Sequence, residues 1–218
     1  MRTLALIPAR AGSKGIPHKN TRLFRGAPLL THAVRVGLAT CDQTIVSADD
    51  AATALIAAAY GATVLMRPAE LAQDETPMLA VLQHALRNVA QQPDVVVLLQ
   101  PSSPTARRVE HVREALRMMA NPDVDSVISL VSIPPHYSPD YAVHLVDGRW
   151  VAPMTRLTRR QDARPAYYRD GSVYAIRRWV IQEGDIYGPM ALSLIIPPHE
   201  SVTLDTEDDW LLAEAKHG

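Results

Sequence analysis

Strand-length apolar runs alternate along this chain with longer stretches in which apolar residues recur every three or four positions. In order these are TLALIP (3–8), the helical LLTHAVRVGLAT (29–40), TIVSA (44–48), the helical DAATALIAAAYG (50–61) and TVLM (63–66), which predicts a βαβαβ beginning. The rhythm continues through the helical TPMLAVLQHALRNVAQ (76–91), the strand DVVVLLQ (94–100), the helix RVEHVREALRMMA (108–120) and the strand DSVISLV (125–131). Strands apolar on both faces and separated by helices imply a parallel sheet between two helical layers. At Ile133 the alternation stops. Residues 133–171 are rich in Pro, Tyr and Arg, and VDGR (146–149) reads as a hairpin turn. Strand patterns return in SVYAIRR (172–178) and ALSLIIP (191–197), and LDTEDDWLLAEAKHG (204–218) reads as a closing helix with acidic residues in its first turn. The expectation is a single domain over 1–218 with an arm at 133–171 protruding from it.

Composition narrows the function classes. The 22 Lys and Arg against 23 Asp and Glu leave no global field to attract nucleic acid or a membrane surface. Any anion site is therefore local. The lone Cys41 excludes an intramolecular disulfide and fits a reducing cytoplasm. The opening apolar run of about six residues is too short for a signal peptide or a membrane span.

Local chemistry concentrates after the first strand, in IPARAGSKGIPHKN (7–20). In an open α/β sheet, ligands collect at the carboxyl ends of strands, and this loop leaves the first strand at that edge. Gly12 and Gly15 let backbone N–H groups turn inward, while Arg10, Lys14 and Lys19 can neutralise phosphate charge. A solvated basic turn has the same composition. The loop matches neither the Walker A nor the dinucleotide glycine pattern. Gln100 ends an apolar strand, so its amide is expected at the ligand edge. Asp205 stands before the last helix, where a carboxylate serves as a helix cap and matches the helix dipole.

Taken with IVSADD, RPAELAQDET, LLQPSSP, RRQDARPAYYRDGSVYAI and SVTLDTEDDW, the opening loop makes the sequence resemble the acylneuraminate cytidylyltransferases, or CMP-sialic acid synthetases, from end to end. The resemblance implies a three-layer nucleotidyltransferase fold, Rossmann-like and of GT-A type, with a mostly parallel sheet and a small dimerisation arm. It implies CTP and Mg²⁺ as co-substrate and cofactor, a nine-carbon keto-sugar acid as acceptor, and a homodimer with a shared active site. By match to the family loop, Arg10, Ser13, Lys14, Lys19 and Asn20 surround the triphosphate, and Arg67 and Thr76 contact the nucleotide. Lys19, Arg10 and Asp205 are then the catalytic set, with Asp205 holding the metal. Gln100, Arg160, Gln161 and Asp170 fall on the acceptor side, Arg160 reaching over from the partner subunit.

The sequence departs from that family in three places. Thr203 stands where a second metal-binding aspartate is usual. Asp170 replaces the asparagine that usually precedes Gly171. The stretch 136–141 lacks a lysine found in some sialic acid enzymes, with Asp140 nearby instead. Two alternatives stay open at this point. One is a nucleotidyltransferase for a sugar 1-phosphate, served by the arm's many arginines. The other is a catalytically weak sugar-nucleotide-binding protein.

Overall fold

The computed structural model describes residues 1–151, 159 and 164–217. The first strand, β1 (Thr3–Ala9), sends Leu4 and Leu6 to one face of the sheet and Ala5, Ile7 and Ala9 to the other, all fully buried. Burial on both faces is why it reads as an unbroken apolar run. After the opening loop come a short hairpin, β2 (Leu23–Phe24) and β3 (Ala27–Pro28), then α1 (Leu29–Thr40), β4 (Gln43–Ala48), α2 (Ala51–Ala59) and β5 (Thr63–Met66). The second half contains α3 (Met78–Asn88), β6 (Val95–Leu98), α4 (Arg108–Met118), β7 (Ser126–Ser132), the hairpin β8 (His144–Val146) and β9 (Arg149–Val151), β10 (Tyr167–Arg177), α5 (Arg178–Gln182), β11 (Ala191–Ile195) and α6 (Glu207–His217). Each expected strand and helix is present. The VDGR turn joins β8 to β9, with Val146 paired to Arg149.

Seven strands form one sheet in the order β11-β7-β10-β6-β1-β4-β5. Neighbours run parallel except at β10, which is antiparallel to both β6 and β7. The sheet is therefore mostly parallel, with one reversed strand that the apolar pattern did not reveal. A parallel strand is reached through a crossover, usually helical, whereas β10 follows the excursion. Residues 167–171, counted with that excursion in the sequence, are the first half of β10 and pair with β7 from Tyr167 opposite Ser132. Their exposed start, with Tyr167 and Tyr168 both partly in water, hides the strand from an apolar-pattern reading.

One face of the sheet packs on α1, α2 and α4 through Ala33, Val34, Ala57, Val112 and Ala115. The other packs on α3 and α5 through Leu82, Ala85, Leu86, Val180 and Ile181. A third, smaller cluster joins Ile16, Phe24, Leu29, Val202, Leu204, Trp210 and Ala213. Phe24 meets Trp210 edge to face at 5.4 Å between ring centroids, a favoured aromatic geometry. This cluster fastens the opening loop to α6, elements far apart in sequence. Among the described residues, no helix is long and apolar enough to cross a membrane.

Candidate active site

The opening loop is held by its own polar residues. Asn20 is buried and donates from Nδ2 to the Arg10 carbonyl at 2.8 Å. The Ala11 N–H donates to Asp49 Oδ1 at 2.8 Å. Ile16 is fully buried in the small cluster, and a Cβ on Gly15 would collide with the carbonyl oxygen of Asp205. That close approach requires glycine. Lys19 Nζ donates to the Leu204 carbonyl at 2.8 Å and lies 3.3 Å from Asp205 Oδ1. The loop and the segment before α6 are thus one structural unit.

The loop overhangs a cavity of about 400 Å³ lined by Arg10, Ser13, Lys14, Lys19, Asn20, Arg67, Thr76, Gln100 and Asp205. These nine residues, singled out in the sequence, come from both halves of the chain. Arg67 is nearly buried, donating from Nε and Nη2 to the hydroxyl and carbonyl of Ser47 at 3.1 and 2.9 Å. Burial pushes its pKa down, against the opposing pull of Asp49. Asp74 escaped the sequence reading. It accepts from Arg10 Nη1 at 2.6 Å and pairs with Lys14, and Lys14 and then Arg10 hold its carboxyl below the usual range. One carboxylate therefore engages the same two loop cations that would meet an anionic ligand.

A second cavity, of about 560 Å³, opens beside the first and shares Met78, Gln100, Ser102 and Asp205 with it. Its remaining wall includes Leu98, Tyr168, Tyr174, Ile186 and Tyr187, with Arg169 and Thr203. Arg169 donates to the Tyr187 hydroxyl. A cationic cavity and an aromatic one thus meet at Gln100 and Asp205.

Asp170, assigned to the acceptor side, is among the residues lining the second cavity; it is 2% exposed, and its carboxylate accepts from Ser129 Oγ at 2.5 Å, Ser172 Oγ at 2.5 Å and Ser201 Oγ at 3.2 Å. Its carboxylate is taken up by protein hydroxyls. Asp205 is not the cap of α6. Thr206 fills that place, its hydroxyl accepting from the Asp209 N–H at 3.2 Å, while Asp209 Oδ2 accepts from the Thr206 N–H at 2.8 Å. This reciprocal capping box leaves the Asp205 side chain, 67% exposed, to Lys19 and the cavity. Among the described residues, no three His, Cys, Asp or Glu side chains gather as a ready-made metal site. Arg160 and Gln161 lie outside the described residues.

The model of the cytidylyltransferase family matches residues 4–182. The chain belongs to that family. The match begins in β1 and ends in α5, so it takes in the opening loop and β10. The CMP-N,N'-diacetyllegionaminic acid synthase of Legionella pneumophila is 34% identical over 226 residues, covering 98% of this chain and 95% of that protein. The N-acylneuraminate cytidylyltransferase of Streptococcus agalactiae is 29% identical over 219 residues, covering 97% of this chain but 52% of that protein, so this cytidylyltransferase spans about half its length. Among solved structures, a CMP:2-keto-3-deoxy-manno-octonic acid synthetase in complex with CTP superposes with a TM-score of 0.75 at 19% identity, covering 99% of this chain and 98% of that one. The 4-diphosphocytidyl-2C-methyl-D-erythritol synthase of Anaerococcus prevotii superposes with a TM-score of 0.65 at 14% identity, covering 98% and 95%. At these identities the two structures bear on the fold.

Proposed function

We propose that this chain activates a nonulosonic acid, of the sialic, legionaminic or pseudaminic type, with CTP, giving the CMP-sugar and pyrophosphate. The observation that carries the proposal is the junction of the cationic and aromatic cavities at Gln100 and Asp205. That arrangement suits a triphosphate in one and a sugar acid in the other. The Legionella relative, matched over nearly its whole length, favours the diacetyllegionaminic type among the three.

In this reading the anomeric hydroxyl oxygen forms a bond to the α-phosphorus of CTP. The bond from that phosphorus to the bridging oxygen breaks, and pyrophosphate leaves with the electron pair. Such transfer depends mainly on positioning and charge neutralisation. Arg10, Lys14 and Lys19 neutralise the phosphates, with Lys19 held steady by Leu204, and Ser13 and Asn20 complete the loop around them. Arg67 and Thr76 form the nucleotide wall, and Gln100 faces both substrates. Asp205, beside the junction, receives the hydroxyl proton or holds Mg²⁺. The metal would neutralise phosphate oxygens. One carboxylate fits Mg²⁺, which keeps waters and takes ligands from phosphates.

We further propose a homodimer with shared sites. Tyr137, Leu145, Trp150 and Tyr167 are between 47% and 76% exposed, an apolar surface of the kind that marks an interface, and Arg160 would reach the partner's acceptor. The lone Cys41 fits a reducing, cytoplasmic setting. The test is pyrophosphate release from each nucleoside triphosphate with a panel of nonulosonic acids and sugar 1-phosphates. CTP with a nonulosonic acid is the expected pair. Turnover of a sugar 1-phosphate would favour that alternative, and no turnover with any pair would favour a binding protein.

A further inference from the structure

Behind the aromatic cavity, α4 carries an arginine on its apolar stripe. Arg108, Val112 and Ala115 share the buried face of the helix, at the spacing that places residues one above another. Arg108 is 4% exposed and donates from Nε to the Ser172 carbonyl at 2.8 Å. Its Nη1 and Nη2 are buried with no hydrogen-bond partner among the described residues. Burial lowers its pKa to about 9, with Asp170 pulling the other way. A buried charge persists in a fold when an opposing charge or polar partner compensates it. Asp170 opposes that charge through space, and the contacts the two residues share are with Ser172. Asp170 accepts from the Ser172 N–H at 3.1 Å and the Ser172 hydroxyl at 2.5 Å, so the two charged residues grip Ser172 from two sides.

What they hold is the turn that separates the cavities' shared wall from the core. Pairing of β10 with β7 shifts register between Arg169 and Tyr174, the mark of a bulge. Within it Gly171 has φ +75°, and a Cβ there would lie 2.8 Å from both Gln100 Oε1 and Ser103 Oγ. The Gln100 amide therefore rests against bare backbone. The Asp170 carbonyl accepts from Ser103 Oγ at 3.0 Å and from Thr203 Oγ1 at 3.5 Å. Gln100, Ser103 and Thr203 line the aromatic cavity together with Asp170 and Gly171; Ser103 and Thr203 donate to the Asp170 carbonyl, and the Gln100 amide packs against Gly171.

We propose that Arg108 and Asp170 are positioning residues, two buried charged side chains that grip Ser172, hold the bulge at Gly171 and through it set Gln100 and Thr203 at the junction of the two substrates. The assignment rests on the cytidylyltransferase reading given above. It makes Asp170 act on the acceptor at one remove.

The experiment is Asp170→Asn, alone and combined with Gln100→Ala, with kinetics for both substrates and hydrogen exchange on the free protein. The expected result is a loss on the order of 10-fold in kcat/KM for the acid, the scale of a small misplacement of a substrate-positioning group, with a smaller rise in KM for CTP, whose cavity Gln100 also lines. In the Gln100→Ala background the same substitution should have a much smaller effect. Exchange should rise in the segment 99–103 and stay unchanged in β1. If Asp170→Asn fails to fold, Ser201→Ala, which removes one hydroxyl from Asp170 Oδ2, should move the same parameters by about 2-fold to 3-fold. A lower melting temperature with unchanged kinetics for the acid, or effects that multiply with Gln100→Ala, would overturn the proposal by reducing the pair to a structural role. If the wild type turns over no acid, the functional reading has failed, and exchange still decides the positioning claim: unchanged protection of 99–103 would overturn it.

Discussion

The cationic cavity and the aromatic cavity share Gln100, yet they deploy charge differently. Around the first, Arg10 and Lys14 sit 31% and 80% exposed and find a counter-charge in a single carboxylate, Asp74. Exposed pairs of this kind are weak and easily exchanged, so the cations remain available to a ligand. Around the second, Arg108 and Asp170 are buried and bound to backbone and hydroxyls, where charges are expensive to disturb. In the proposed reading one wall presents charge to a substrate, while the other uses charge to fix a backbone. Burial then separates charged residues that act by contact from those that act by support.

The comparison predicts a graded series. Lys19→Ala should lower turnover on the order of 100-fold, since a fixed charge beside a transferring phosphoryl group contributes several kcal/mol; unchanged CTP kinetics would remove the cationic cavity from the chemistry. Trp210→Ala should cost about 3 kcal/mol of stability, as large-to-small changes in a core do, and should also raise KM for CTP, because Trp210 packs in the cluster that contains Ile16 of the loop. A melting shift without a change in KM would uncouple the loop from α6. Thr206→Ala should cost about 1 kcal/mol, the usual value of a helix cap, in denaturant unfolding, with turnover near wild type. Asp74→Asn should have the smallest effect, a decrease of about 2-fold to 3-fold in KM for CTP that vanishes in high salt, where exposed charges are screened. An increase would make Asp74 a contributor to nucleotide binding.

The cationic side was legible because its determinants are contiguous. A buried first strand followed by closely spaced Gly, Lys and Arg residues announces both the fold's edge and its chemistry. The aromatic side was less so. Its strand β10 begins with exposed tyrosines and runs against its neighbours, so neither an apolar run nor a helical crossover marks it. Asp74 lies 64 positions from the arginine it pairs with, a proximity no local pattern encodes. Two signals were present and went unused: an arginine on the apolar stripe of α4, and a threonine three residues before Asp209, the spacing of a capping box. The second would have released Asp205 from the capping role that its position before a helix suggested.

The central claim is that chemistry takes place where the two cavities meet, at Asp205. The most direct measurement is Asp205→Asn, followed by Mg²⁺-dependent pyrophosphate release from CTP and by thermal unfolding of the same preparation. Pyrophosphate release should be lost while the melting temperature stays at the wild-type value, because Thr206 and Asp209 cap the helix without Asp205. Full activity in the variant, or a melting temperature that falls with the activity, would contradict the claim.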